Sequence, residues 1–225
     1  MWQQRDTARQ WDAGAAERLA TRAEQQEILL ALLSEAQIGE GVILDLGVGS
    51  GLVAESVLDA LPEASLVGVD FSDAMLERAR ARLDRLGPRV RLVRRDLAAI
   101  GTLPLPDERY AAAFSVQTLH HLADSEKEAA LAWSARVVEP GGLIVVVDRV
   151  AVPASLFREW SVVWGRIDPA APATYAEYEE QLASGGDRPA SLHDHLGWFA
   201  NAGLDAMCVH AYGHRVVLMA RTPDR

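Results

Sequence analysis

Short runs of apolar residues alternate with longer segments whose apolar residues recur at helical spacing. The apolar runs have the continuity of strands that are buried on both faces of a parallel sheet. They lie at 42–46, 66–70, 90–94, 110–116 and 143–147. The helical segments lie between them, at 51–60, 72–86 and 125–137. Strand and helix alternating at this pitch predict an α/β fold with a parallel sheet.

The two ends of the chain depart from this alternation. The sequence pattern predicts one or two helices that cap the sheet over residues 1–38, and a late helix over 192–202. Two alternating runs, 204–211 and 215–220, joined at a Gly-His pair, predict an antiparallel hairpin. We therefore expect a single domain over 1–225, with the N-terminal helical cap and a lid-like insert at 150–190.

Composition narrows the classes of partner. The 225 residues carry a net charge of -10 at pH 7, which disfavours binding to a phosphate backbone. One cysteine, Cys208, leaves no disulfide and no CxxC metal motif. The first residues lack a basic-then-apolar leader, and no apolar stretch approaches the roughly 18 residues of a membrane span. We expect a cytoplasmic monomer or homodimer that binds no nucleic acid, no membrane and no metal.

The strongest chemical signal is a glycine-rich turn after the first strand, LDLGVGSG at 44–51. Gly47 and Gly49 allow a sharp turn and a close approach of a ligand, and Gly51 allows the next helix to start tightly packed. A dinucleotide fingerprint, GxGxxG, needs glycine where Leu52 stands. The turn therefore favours a nucleotide-like ligand without a pyrophosphate.

Two acidic residues follow the next two strands. Asp70 ends the second strand, 19 residues beyond Gly51, where a carboxylate can accept both hydroxyl hydrogens of a ribose. Asp96 follows the third strand, where it can reach an adenine amino group. Either acid alone has an ordinary explanation as a capping residue, but together they predict a nucleoside site.

These motifs resemble those of the class I S-adenosylmethionine (SAM) dependent methyltransferases, in particular the bacterial small-molecule branch. LDLGVGSG is similar to that family's first motif and VGVDFS (67–72) to its second. Asp96-Leu97, FSVQTLHHL (114–122) and RVVEPGG (136–142) follow in the family's order. The resemblance implies a doubly wound, Rossmann-like, mostly parallel seven-stranded sheet with an antiparallel C-terminal hairpin strand.

The resemblance also implies roles for individual residues toward the cofactor, SAM. Gly47, Val48 and Gly49 would line its methionine portion, with Asp45 near the ammonium group. Asp70 would hold the ribose. The other implied contacts are Phe71 and Met75 on the adenine, Asp96 and Leu97 at its amino edge, and Val116 and Gln117 at the methionine end. The segment around Trp11-Asp12 is similar to the helix that covers SAM in relatives.

Methyl transfer from a sulfonium is an in-line displacement, so a base is needed only when the acceptor must lose a proton. The candidate bases are His120, His121, His193 and His195. His121 follows the fourth strand on the cofactor side of the sheet, and we predict that it is the catalytic base. The alternative is that these imidazoles hydrogen-bond the backbone at a helix start.

The insert carries aromatic residues and leaves the sheet at its carboxyl edge, where an α/β fold binds ligands. We predict that Trp160, Trp164, Tyr175 and Tyr178 contact an apolar acceptor beneath a mobile lid. The alternative is that they form the core of a small helical excursion. The predicted activity is methyl transfer from SAM to a small molecule. Two other functions stay open: modification of SAM itself, as in the carboxy-SAM synthases, and SAM binding without catalysis.

Overall fold

The computed structural model describes residues 22–102, 108–168 and 170–224. Seven strands of these residues form one sheet: β1 Val42–Leu46, β2 Ser65–Asp70, β3 Val90–Arg94, β4 Tyr110–Val116, β5 Val138–Arg149, β6 Asp205–Tyr212 and β7 Arg215–Arg221. Seven α-helices accompany them: α1 Ala23–Glu35, α2 Leu52–Ala60, α3 Asp73–Leu83, α4 Asp124–Val137, α5 Phe157–Trp164, α6 Tyr175–Gly185 and α7 Leu192–Asn201. None of these helices is long and apolar enough to cross a membrane.

The strand order is β3-β2-β1-β4-β5-β7-β6. The first five strands pair in parallel, whereas β7 pairs antiparallel with both β5 and β6. This order confirms the predicted doubly wound sheet with an antiparallel C-terminal hairpin. The chain reverses its direction of winding between β1 and β4, and an open α/β sheet forms its ligand crevice outside the carboxyl ends of strands at such a point.

The core lies on both faces of the sheet because successive side chains of a strand point to opposite faces. Ile43 packs with Leu29 and Leu33 of α1 on one face. Its neighbour Leu44 joins the other face, with Phe199 of α7. All five side chains are at most 1% exposed. Helices covering both faces explain why the central strands are apolar throughout.

The predicted boundaries hold for most elements, and two differ. The turn predicted at 139–142 lies inside β5, where the pairing register with β4 shifts between Tyr110 and Ala112. The helix predicted over 72–86 begins after its expected cap, Ser72, whose hydroxyl accepts the Met75 N–H. It then ends at Leu83 and continues as a 3₁₀ turn, Asp84–Arg89.

The predicted insert contains α5, α6 and a 3₁₀ turn, Ala154–Leu156. Two glycines end α6, and Gly186 adopts a left-handed conformation as its C-cap. In the N-terminal cap, α1 belongs to the described residues, whereas the Trp11-Asp12 segment lies outside them.

Candidate cofactor and acceptor pocket

The glycine turn brings β1 against the end of β2. The N–H groups of Gly47 and Val48 both donate to the Val69 carbonyl, at 2.9 and 3.0 Å. Gly47 has φ +89°, and a Cβ atom there would lie 2.3 Å from the Thr118 side chain. Any residue larger than glycine at position 47 would therefore be strained in its backbone and would clash with Thr118.

Asp70 ties the turn to β2. Its Oδ2 accepts the Gly49 N–H at 3.0 Å, and its Oδ1 accepts the Ser72 N–H at 2.8 Å. Burial raises the pKa of this carboxyl, and the backbone hydrogen bonds from Ser72 and Gly49 oppose that rise. Asp70 thus shapes the loop, and the remaining lone pairs of its oxygens are available to a ligand.

Asp45 is the least satisfied polar group of the turn. It is 2% exposed, and its Oδ2 has no hydrogen-bond partner. Burial raises its pKa well above the usual value, and the nearby charge of Asp70 adds to the rise. A buried carboxylate without a partner is costly, so the site favours a cationic or hydrogen-bond-donating ligand here.

Gln117 also presents an unsatisfied group. It follows β4 with φ +52°, and its buried Nε2 has no partner, while its Oε1 accepts from Arg149 at 3.3 Å. The free amide N–H groups suit an anionic or carbonyl oxygen of a ligand. Asp45 and Gln117 together therefore match the ammonium and carboxylate of an amino acid moiety.

A cavity of about 470 Å³ opens at the carboxyl ends of the parallel strands. Its volume is in the usual range for small-molecule sites. All eleven residues predicted to bind the cofactor line it: Asp45, Gly47, Val48, Gly49, Asp70, Phe71, Met75, Asp96, Leu97, Val116 and Gln117. Asp96 Oδ1 also accepts the Ala98 N–H at 3.0 Å, which caps a short 3₁₀ turn.

The histidines fall into different environments. His121 lines the cavity, and its Nδ1 lies 3.2 Å from Asp187 Oδ1. His120 is buried, and its Nδ1 bonds to Asp148. His193 is exposed, and His195 is 1% exposed with its pKa lowered by burial. Only His121 of the four candidate bases lines the cavity.

The four aromatic residues predicted to bind the acceptor do not line this cavity. Trp160 stacks on Trp164 at 6.0 Å between ring centroids, and Tyr178 packs on Trp160 and on Tyr175 at 5.8 Å each. Trp164 and Tyr178 are only 3% and 6% exposed. These side chains pack on one another as a small hydrophobic core between α5 and α6, and their contact with an acceptor stays a prediction.

Four residues of the site were missed from the sequence. Asp148 and Arg149 end β5, Asp187 follows α6, and Gln25 of α1 lines the cavity with both amide atoms unpartnered. The two residues of β5 had a usable signal, since the carboxyl end of a parallel strand marks the ligand edge. Asp187 had none, because its position depends on how the insert folds back.

Asp148 and Asp187 organise this end of the pocket. Although burial alone would raise it, the pKa of Asp148 is lowered to about 2 by His120 and by the Arg149 N–H. Asp187 lies between His121 and Arg149, and these interactions likewise outweigh its burial and lower its pKa. Both carboxylates are therefore anionic at neutral pH.

Comparison with known proteins shows which proteins the chain is similar to. Residues 43–142 match the family model of the methyltransferase domain. The chain is 36% identical over 115 residues to a demethylmenaquinone methyltransferase of Thermus thermophilus, an alignment covering 51% of this chain and 50% of the relative. It is 29% identical over 215 residues to a trans-aconitate 2-methyltransferase of Methylobacterium nodulans, covering 92% of this chain and 76% of the relative. The chain spans about half the length of the quinone methyltransferases that it matches.

Comparison with solved structures agrees with the α/β fold described above. Human N-acetylserotonin methyltransferase, solved in complex with SAM, superposes with a TM-score of 0.66 at 15% identity, covering 99% of this chain and 57% of that one. These findings confirm the family predicted from the motifs for the part of the chain that they match: residues 43–142 form a class I SAM-dependent methyltransferase domain. The cofactor of that family is SAM.

Proposed function

We propose that the protein transfers the methyl group of SAM to a small-molecule acceptor. The observation that carries this proposal is that a single cavity is lined both by the eleven predicted cofactor residues and by groups that the cofactor does not require. The latter include an apolar wall of Leu29, Val53 and Val147, together with His121. A pocket with apolar walls and few polar groups is typical of small-molecule sites.

The unsatisfied polar groups of the pocket fit SAM. Asp45, with its unpartnered Oδ2, would hold the ammonium group, and the Gln117 amide would hold the carboxylate. Asp70 would accept the ribose hydroxyls while it keeps the glycine turn in place. Phe71, Met75, Asp96 and Leu97 would surround the adenine.

The acceptor side favours an uncharged or weakly polar molecule. Gln25 is 3% exposed, and neither its Nε2 nor its Oε1 has a partner. A ligand hydroxyl, carbonyl or amide could satisfy both atoms, since the amide offers a donor and an acceptor. The matched relatives are named for demethylmenaquinone and trans-aconitate, and both are small molecules.

SAM supplies an activated methyl group on a sulfonium. When the acceptor is a hydroxyl, its oxygen forms the new bond to the methyl carbon, and the electrons of the broken carbon–sulfur bond pass to sulfur. His121 would accept the hydroxyl proton at Nε2, because Asp187 holds the imidazole at Nδ1. Alignment of the acceptor by the pocket can supply about 7 to 11 kcal/mol of the acceleration.

Methyl-labelled SAM incubated with the protein and a metabolite extract tests the activity. We expect the label to pass to a small molecule. His121→Ala should reduce that turnover by about 10²- to 10⁴-fold for a hydroxyl acceptor, with little change in SAM affinity. His193→Ala is the matched control, because His193 is exposed and lies outside the cavity lining. Equal turnover in both variants would remove His121 from the mechanism.

Modification of SAM itself is less well supported. A carboxylated co-substrate would favour a group of arginines around the cavity, whereas Arg22 is the one arginine among the described lining residues. Detection of a SAM derivative instead of a methylated acceptor in the labelling experiment would favour that alternative.

A further inference from the structure

A cluster of ligating side chains stands beside the pocket, formed by His120, His121 and Asp187. Each offers one nitrogen or oxygen atom, and the three atoms lie within 4.8 Å of one another. His120 and His121 come from the 3₁₀ turn Leu119–His121 after β4, and Asp187 comes from the segment after α6. His121, Gly185 and Gly186 line the cavity, so the cluster borders it.

The imidazole of His120 is fixed with one nitrogen facing the cluster. Its Nδ1 bonds to Asp148, and the same carboxylate accepts the backbone N–H groups of His120 at 3.1 Å and Arg149 at 2.8 Å. Because Asp148 is an acceptor only, the ring proton lies on Nδ1. In the neutral imidazole the lone pair is then on Nε2, which is the atom that faces Asp187. Metal-binding histidines usually have such a carboxylate on their other nitrogen.

Asp187 is fixed in the same way. Its Oδ2 accepts from Arg149 Nη1 at 2.6 Å, and its Oδ1 lies 3.2 Å from His121 Nδ1 and 3.6 Å from His120 Nε2. Ligands at zinc distances of about 2.0 to 2.1 Å in a tetrahedron are about 3.3 to 3.4 Å apart. The two separations from Asp187 Oδ1 bracket that spacing.

The local charge is compatible with a cation. The group contains two carboxylates, Asp148 beside His120 and Asp187 beside the Arg149 guanidinium, so it is net negative when both imidazoles are neutral. Two nitrogens and one carboxylate oxygen are a donor set that suits zinc and similar ions and leaves a position for a further ligand.

We propose that His120 Nε2, His121 Nδ1 and Asp187 Oδ1 bind a divalent transition-metal ion of the zinc class at the edge of the pocket. The fourth position is taken by water or by an oxygen atom of a cavity ligand. The ion would bind His121 Nδ1, the nitrogen that otherwise contacts Asp187. The ring proton of His121 is then on Nε2. An occupied site therefore excludes His121 from acting as the base, and metal loading becomes a control on that step.

Cobalt(II) added to chelator-treated, dialysed protein tests the site without an acceptor. We expect about one equivalent to bind, with the strong visible absorption of a tetrahedral ion, and zinc to displace it. Asp187→Asn and His121→Ala should each weaken cobalt binding by more than about 100-fold, since losses of supporting groups alone reach 10- to 100-fold. His193→Ala, at an exposed histidine elsewhere, should bind cobalt like the unchanged chain.

Absence of the visible band, or equal cobalt binding by Asp187→Asn, would overturn the proposal and leave the cluster as a hydrogen-bonded ion network. SAM affinity is measured on the same samples. Retained SAM binding shows that a variant is folded, so the metal site can fail while the proposed methyl transfer stands. If the unsubstituted protein does not bind SAM, that result would instead count against the proposed function.

Discussion

Asp45 and Asp70 lie at the same glycine turn but are satisfied very differently. Asp70 accepts backbone N–H groups from Gly49 and Ser72, whereas Asp45 Oδ2 is buried without a partner. The first carboxylate builds the loop, and the second is left for a ligand. A site that binds tightly often keeps such an unfavourable group in the free protein, so stability and binding oppose each other there.

Asp45→Asn should therefore stabilise the free protein and weaken SAM binding. Burial raises the pKa of Asp45 in the folded state, so this carboxyl favours folding below its unfolded pKa of about 4 and disfavours it as the pH rises through the folded value. Thermal unfolding at pH 7 should show a higher Tm for the variant, by about 2 to 4 °C per kcal/mol gained. The gain should shrink toward pH 4.

For the unchanged protein, SAM affinity should fall as the pH is lowered through the raised pKa of Asp45, because a protonated carboxyl does not pair with an ammonium group. Calorimetric titrations at several pH values measure this. A variant that is less stable at pH 7 and binds SAM normally would show that the Asp45 carboxylate has a structural role only.

Asp70→Ala should weaken SAM binding by about 10- to 100-fold. The change removes the acceptor proposed for the ribose and leaves the Gly49 and Ser72 N–H groups without theirs, and each hydrogen bond to a charged group contributes about 1.5 to 3 kcal/mol. Asp73→Ala is the control, since Asp73 is exposed in the first turn of α3. Equal SAM affinity in the two variants would contradict the role of Asp70.

At the scale of elements, α5 is joined to the C-terminal hairpin through Trp164. The ring lies edge-on to Tyr212 at 5.6 Å and to His214 at 5.0 Å, with Arg215 5.1 Å above it. A Cβ atom on Gly213 would come within 2.4 Å of the ring, so the turn between β6 and β7 packs directly on it. Burial, with nearby arginines, lowers the pKa of His214 to about 3, so His214 is neutral in this packing at pH 7.

Trp164→Ala should destabilise the protein by about 3 to 5 kcal/mol, because it leaves a large cavity between α5 and the hairpin turn. Chemical unfolding measures this, and SAM affinity should be nearly unchanged in the folded variant, since Trp164 does not line the cavity. Val163→Ala on the same helix, 60% exposed, should have little effect. Loss of turnover without loss of stability would instead support the predicted lid over the acceptor site.

The elements that the sequence predicts well are those whose environment is uniform. β1 is buried on both faces and ends at glycine, so its run of apolar residues and its turn have one structural explanation. Ser72 is likewise found as a cap because its hydroxyl acts within three residues. The insert is different: its aromatic residues are equally suited to a ligand or to a small core. Which of the two they form depends on packing against residues remote in sequence, such as the packing of Trp164 on Gly213.

The same distinction applies to the site. The residues predicted to bind the cofactor follow strands in a fixed order, so their convergence at one edge of the sheet follows from parallel topology alone. Asp187 reaches His121 only because the chain returns across that edge after α6, and no local pattern marks that return. Gln25 was missed for a different reason, since an amide in an amphipathic helix is usually solvated.

At the scale of the whole molecule, the pocket is lined by segments that lie far apart in the sequence. Its lining comes from α1, from the ends of β1, β2 and β4, from the turn containing His121 and from Gly185-Gly186. A ligand that contacts all of these segments must add to the stability of the folded state as a whole, because it binds only when they are assembled.

SAM should therefore raise the Tm of the protein, and NAD should not. At a SAM concentration about 100 times its Kd, linkage adds about 2.7 kcal/mol, and for a chain of this size each kcal/mol raises Tm by about 2 to 4 °C. NAD lacks a place for its pyrophosphate, because Leu52 begins α2 where a dinucleotide fold has its third glycine. Thermal unfolding with increasing amounts of either ligand, checked by calorimetry for one SAM site per chain, measures the difference. An equal shift with NAD would contradict the assignment of the glycine turn, and no shift with millimolar SAM would contradict the cofactor.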